Sequence, residues 1–157
     1  MSKSVFILSL LSVVLFAFKC STKPLNNNYE EYYYNENGDS TLHVKCQGDK
    51  VYECWEYYRN TQLKSHAKYD GDRLTNIFEV YDTSGALLDF GNFKDGNGFV
   101  KCYNNNGELE STGEFRDGMR QGWWVNYHFS GEVIDSVFYD DGIIVGKNAL
   151  IIPNNKY

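Results

Sequence analysis

Apolar and polar residues along this chain alternate in short runs rather than in helical stripes. Four segments, "CWEYY", "IFEVY", "FVKCY" and "WWVNY", each end on a tyrosine that is followed by a short polar turn and a further apolar residue. Aligned at Tyr58, Tyr81, Tyr103 and Tyr127 they are separated by 23, 22 and 24 residues, and a weaker copy at Tyr34 lies 24 residues upstream. A fixed period of this size is the signature of a repeat architecture. Past each turn a second segment opens at Leu63, Leu87, Leu109 and Val133. Four residues on stand Ala67, Gly91, Gly113 and Val137, and six on stand Tyr69, Phe93, Phe115 and Tyr139. Even offsets share one face of a strand, so these positions predict apolar or small rows running across neighbouring strands. Asp70-Gly71, Asp95-Gly96, Asp117-Gly118 and Asp141-Gly142 then close each unit with a strong hairpin-turn signal. Each unit therefore reads strand, turn, strand, turn. The fold expected is all-β: an antiparallel sheet of consecutive hairpins, from about five repeats, in a single elongated or curled domain.

Counting back from the tyrosines gives two apolar columns, Trp55, Phe78, Val100 and Trp124 at three places and Cys54, Ile77, Phe99 and Trp123 at four. Adjacent residues of a strand point to opposite faces, so Trp123 and Trp124 are expected to fill one row each. By the same parity Tyr58, Tyr81, Tyr103 and Tyr127 form an aromatic ladder that shares its face with Trp123. These five are the candidate binding residues. Tyrosine and tryptophan supply rigid contact area at interfaces, yet the first reading of the same ladder is that it packs the groove of the repeat.

The pattern resembles the MORN repeat in its bacterial variant form, an aromatic and tyrosine followed by an Asn-Gly-type turn, an apolar residue, a further aromatic and a second glycine turn. Gly122, Trp124, Tyr127, Gly131, Val133, Tyr139 and Gly142 carry the resemblance best, and Gly98, Tyr103, Asn106, Gly107, Leu109, Phe115, Asp117 and Gly118 carry it nearly as well. Thr61 stands where the other units place the turn glycine. The resemblance implies a scaffold or contact surface and no catalysis. Eukaryotic members are discussed as lipid-binding, and some bacterial proteins with the variant repeat are labelled antitoxin-like.

The first residues change the picture of where the protein works. Residues 4–18, "SVFILSLLSVVLFAF", are apolar or small and lie between Lys3 and Lys19, as a secretory segment does. Cys20 follows at the place where a bacterial lipoprotein carries its lipidated cysteine, which makes Cys20 the candidate lipidation site, although Phe18 and Lys19 replace the usual small residues before it. The domain plan is a targeting segment over 1–20, a tether over 21–29 and a repeat domain over 30–157. Within that domain the repeats run to about 142, and closing strands over 143–157 cover a sheet edge. The expected location is the cell envelope, membrane-anchored through the N-terminal segment or a lipid, or secreted.

Fifteen basic against 21 acidic residues give a net charge of −6. Without Lys3 and Lys19 the balance is 13 against 21, or −8. No basic stripe is available to neutralise phosphates, which argues against nucleic acid as a partner. A protein partner is expected, and the oligomeric state is open.

Motif chemistry is sparse. His43, His66 and His128 fall in different units and are read as forming no set. "DGDRLTNIFEVY" opens like a calcium loop but places Leu74 and Tyr81 where oxygen ligands belong. Four cysteines include Cys20; a hairpin turning at Gly48-Asp49 pairs Cys46 with Val51 and Cys54 with His43, which keeps the sulfurs of Cys46 and Cys54 apart, so unbridged cysteines are expected. No catalytic residue, metal site or cofactor is expected. The leading function is a non-catalytic interaction or scaffold module of the cell envelope. The alternative is an antitoxin or immunity-like protein whose acidic surface suits a basic partner.

Overall fold

The computed structural model describes residues 28–149, and the targeting segment, Cys20 and the last eight residues lie outside them. Ten strands follow in chain order: β1 (Asn28–Tyr34), β2 (Ser40–Gln47), β3 (Lys50–Tyr57), β4 (Leu63–Asp70), β5 (Arg73–Val80), β6 (Gly98–Tyr103), β7 (Leu109–Arg116), β8 (Met119–Tyr127), β9 (Val133–Asp140) and β10 (Ile143–Ala149). Among the described residues there is no helix. The first five strands form one antiparallel sheet in chain order and the last five form a second. The fold is thus all-β and built of consecutive hairpins. The tether and the sheet overlap by two residues, since Asn28 and Tyr29 already belong to β1.

The hairpin ladder is interrupted in the third unit. Its second segment, opening at Leu87, is held by isolated bridges (Tyr81 with Leu87, Gly91 with Val100) instead of a full strand. That segment joins the sheets: the Leu88 N–H donates to the Val80 carbonyl on one side, and the Lys101 N–H donates to the Phe90 carbonyl on the other. One close approach marks the break in the strand. Gly91 has a positive φ of 99°, and a Cβ on it would meet the Phe99 carbonyl oxygen. Glycine turns complete the junction, with Gly96 N–H bonded to Thr75 O at 2.8 Å and Gly118 N–H to Gly96 O at 2.8 Å.

The core is built from the predicted rows. Ala67, Val137, Phe93, Phe115 and Tyr139 are buried, and with Leu74, Ile77, Val80, Val100, Cys102, Tyr103 and Trp124 they make one cluster that spans both sheets. Leu42, Val44, Cys46 and Cys54 form a second cluster on the first sheet. A buried lysine links the first sheet to the turn after β6. Lys64 is the extra residue of a bulge in β4; its Nζ lies 3.6 Å from Glu56 Oε1 and donates to Asn105 Oδ1 at 2.9 Å in the turn after β6.

The polar turns share one geometry, and it corrects the alignment of the second unit by one residue. In each of the five, an N–H bonds to the carbonyl four residues on: Asn35 to Asp39, Tyr58 to Gln62, Asp82 to Ala86, Asn104 to Glu108 and His128 to Glu132. Tyr58 therefore takes the place of Asn35, Asp82, Asn104 and His128, and the residue equivalent to Tyr34, Tyr81, Tyr103 and Tyr127 is Tyr57. Strand pairing agrees, because Tyr57 faces Leu63 as Tyr103 faces Leu109 and Tyr127 faces Val133. Where the first turn residue is Asn or Asp, its side chain caps the loop: Asn104 Oδ1 accepts from the N–H groups of Asn106 and Glu108, as Asp82 Oδ1 does from Ser84 and Ala86.

Thr61 occupies the turn-glycine place with φ of 66°, matching Gly38, Gly85, Gly107 and Gly131 at 81–87°. A β-branched residue is strained there. Thr61→Gly is expected to raise stability by up to about 1 kcal/mol, the strain relieved less the extra chain entropy of glycine. Gly131→Val is expected to lower it by more than about 1 kcal/mol, and since a Cβ at Gly131 meets nothing within 4 Å, that loss is conformational alone. Denaturant unfolding of both variants checks the pair of signs; a Thr61→Gly protein less stable than the wild type contradicts the assignment.

Candidate binding surface

Trp123 and Trp124 part as the strand pleat requires. Trp124 is 1% exposed and Trp123 is 48% exposed. Trp124 packs edge-on against Phe115 and Tyr139, donates its indole N–H to the Glu114 carbonyl at 3.2 Å, and carries the Arg120 guanidinium 4.0 Å from its ring centre. Arg120 Nη1 donates to the Tyr139 hydroxyl, while its buried Nε and Nη2 have no hydrogen-bond partner among the described residues. Stacking on the indole is what holds this cation. Trp123, on the outer face of β8, meets Phe138 of β9 edge-on at 5.2 Å, and Phe99 lies exposed on the outer face of β6.

The tyrosines do not form one ladder beside Trp123. Pairing slips where the tyrosines stand, between Cys102 and Tyr103 and between Asn126 and Tyr127, opposite an extra residue of the following strand, Glu110 or Ile134, so the regular alternation of faces stops at the tyrosine. Val100, Cys102 and Tyr103 are accordingly all buried. Tyr58 is 3% exposed, and its hydroxyl donates to the Tyr81 carbonyl at 2.8 Å. Burial, with Glu56 and Asp82 nearby, pushes that phenol up to about 12, so it stays a neutral donor. Tyr103 is 9% exposed and donates to the Asp89 carbonyl at 2.7 Å. Tyr81 is half-buried and donates to Glu79. Tyr127, also half-buried, lies 3.2 Å from Thr112 Oγ1 and lines a shallow polar cleft of about 260 Å³ with Glu110, Ser111, Arg120, Asn126 and Ile134. Of the five candidates, Trp123 alone offers a large exposed apolar surface.

Two of the three histidines, His43 and His66, do form a set, which corrects the sequence reading for that pair. Across the outer face of the first sheet Tyr32, His43, Trp55, His66 and Phe78, one from each strand, stack ring on ring at centroid separations of 4.3, 4.6, 4.5 and 4.5 Å. The first four are directly opposed across their strand pairs. Carboxylates flank the imidazoles: His43 Nε2 is 3.1 Å from Glu30, His66 Nε2 is 2.9 Å from Glu53, and His66 Nδ1 is 3.8 Å from Glu79. The signal lay in the period, since Tyr32, Trp55 and Phe78 stand 23 residues apart, as do His43 and His66. His128 is separate and bonds Ser130 within its own turn.

The cysteine reading needs two corrections. Cys46 does pair with Val51, but a slip after Lys45 sets Cys54 opposite Val44 and not His43. Cys46 is disulfide-bonded, to a partner outside the described residues, whereas Cys54 and Cys102 are free buried thiols. Burial pushes the Cys102 thiol up to about 11, which keeps it protonated. Among the described residues no three His, Cys, Asp or Glu side chains converge as a metal site would require.

The arrangement defines an all-β protein of consecutive hairpins whose outer faces carry aromatic side chains. Set against known proteins, the chain matches no family model and no curated sequence.

Proposed function

We propose that this protein is a non-catalytic interaction module exported to the cell envelope, a MORN-like hairpin scaffold that captures a protein partner on its outer face. The observation that carries the reading is Trp123. In an acidic chain a half-exposed tryptophan beside Phe138 is the kind of rigid aromatic anchor that dominates interfaces. The buried tyrosines, by contrast, spend their hydroxyls on backbone carbonyls and belong to the scaffold. Export is supported by the apolar N-terminal run and by the disulfide at Cys46, a bond that persists in oxidising compartments.

Affinity capture from native membranes tests both parts. Trp123→Ala is expected to lose the captured partner while shifting stability by no more than about 1 kcal/mol, and Tyr103→Ala is expected to destabilise the fold. Retention of the partner by a folded Trp123→Ala protein contradicts the surface. The intact mass of the captured chain reads its N-terminus: a lipid on Cys20 adds a mass that simple cleavage does not, so the mass separates an anchored from a secreted form. A cytoplasmic chain with Met1 intact contradicts export.

A further inference from the structure

Arg120 carries more than its place in the repeat requires. Its carbonyl accepts the Gly142 N–H at 2.9 Å, just as the Thr75 carbonyl accepts from Gly96 and the Gly96 carbonyl from Gly118. That column needs a carbonyl and no side chain, since a glycine fills it once. A buried cation thus stands at a position where the fold asks for none, and departures of this kind are expected at functional sites.

The guanidinium is fixed on one edge and bare on the other. Its Cζ lies 4.0 Å from the Trp124 ring centre and 5.3 Å from that of Tyr139, and Nη1 donates to the Tyr139 hydroxyl at 3.2 Å. The buried Nε and Nη2 meet no acceptor among the described residues. In any arginine these two nitrogens present parallel N–H groups, the fork that takes both oxygens of a carboxylate. A buried donor left unmet carries the full cost of its desolvation, so an acceptor placed on this edge recovers that loss.

We infer that the Nε–Nη2 edge of Arg120 anchors a carboxylate-binding site in the cleft that this residue lines between β7, β8 and β9. Ser111 and Tyr127 bring hydroxyls to the wall, and the exposed Ile134 brings an apolar side chain. At about 260 Å³ the cleft falls below the roughly 300–1,000 Å³ of sites for drug-sized ligands, so its occupant is a small acid or one acidic side chain. Charge narrows the class further. A single guanidinium shares the cleft with Glu110 in a chain of net charge −6, which suits one negative charge and disfavours a dianion such as sulfate or phosphate. Both nitrogens are closed to water in the free protein, so the ligand enters as Ile134 gives way. The site is distinct from the Trp123 surface, because Arg120 stacks on Trp124 and the two tryptophans point to opposite faces.

NMR titration of the full chain with sodium acetate, at an ionic strength held constant with sodium chloride, tests this. The signal to follow is the Arg120 Nε–H resonance, assigned through its contact with the Trp124 ring protons. Acetate is expected to move it downfield with a Kd on the order of 1 mM, and sulfate at equal ionic strength to bind at least about tenfold more weakly. The α-amide of N-acetylglutamic acid separates the two sources: binding tighter than acetate assigns the site to an acidic side chain of a polypeptide, and binding no tighter assigns it to a small free acid. Arg120→Lys keeps the charge and loses the fork, so the rise in melting temperature that acetate gives the wild type is expected to vanish in this variant. Should the variant not fold, the wild-type resonance decides alone. A resonance that acetate leaves in place overturns the proposal, as does sulfate binding as tightly as acetate or an equal thermal shift in Arg120→Lys.

Discussion

Trp124→Ala is expected to cost about 4 kcal/mol of unfolding free energy, and Trp123→Ala no more than about 1, although the two residues are adjacent and chemically identical. Trp124 is fully enclosed by Phe115, Tyr139 and the Arg120 guanidinium, in the cluster that joins both sheets. Its removal leaves a cavity and also strips Arg120 of the ring on which it rests, exposing a cation with two unpaired nitrogens to a half-filled core. Trp123 loses only its edge contact with Phe138, on a face already open to water. Denaturant unfolding of the two variants with a common m-value measures the difference. Equal losses would mean that the outer face is covered in the native protein.

How much of this was legible in the sequence depends on which signal each feature rests on. The rows through Ala67, Gly113 and Val137 and through Phe115 and Tyr139 stand two residues apart in their strands, beyond the extra residues Lys64, Glu110 and Ile134, so the spacing alone placed them on one face. The tyrosines stand at strand ends opposite an extra residue of the next strand, Lys64, Glu110 or Ile134, where the alternation of faces stops, and the place of that slip is set by strand pairing. The second unit adds a local ambiguity, because Tyr57 and Tyr58 both fit a tyrosine column. Turn hydrogen bonding decides for Tyr57, with the Tyr58 N–H bonded to the Gln62 carbonyl. The histidine stack needed only the comparison of His43 with His66 at the repeat period, but a search by ligand motif tests for catalytic or metal spacing and passes over cross-strand neighbours. The disulfide at Cys46 has no local signal, since the neighbouring Cys54 and the repeat-placed Cys102 are both free thiols.

Gly113→Ala is expected to cost about 3 kcal/mol, an overpacking loss at the upper end of its usual range. Backbone conformation is not the cause, because Gly113 is absent from the positive-φ glycines. The cause is the ring opposite. β7 and β8 lose register between Thr112 and Glu114, so that Gly113 alone faces Gly122, Trp123 and Trp124, and the Trp124 indole lies across the glycine where a Cβ would stand. A buried ring pinned between Phe115 and Tyr139 and hydrogen-bonded to Glu114 has no room to retreat. The small column at Gly91 and Gly113 is therefore a packing requirement set by neighbours, the backbone of Phe99 in one unit and the side chain of Trp124 in the other. A double-mutant cycle isolates the contact. Trp124→Leu removes the ring, so Gly113→Ala on that background is expected to cost at least about 2 kcal/mol less than it does alone. If the two losses simply add, the collision with Trp124 is not what keeps residue 113 a glycine.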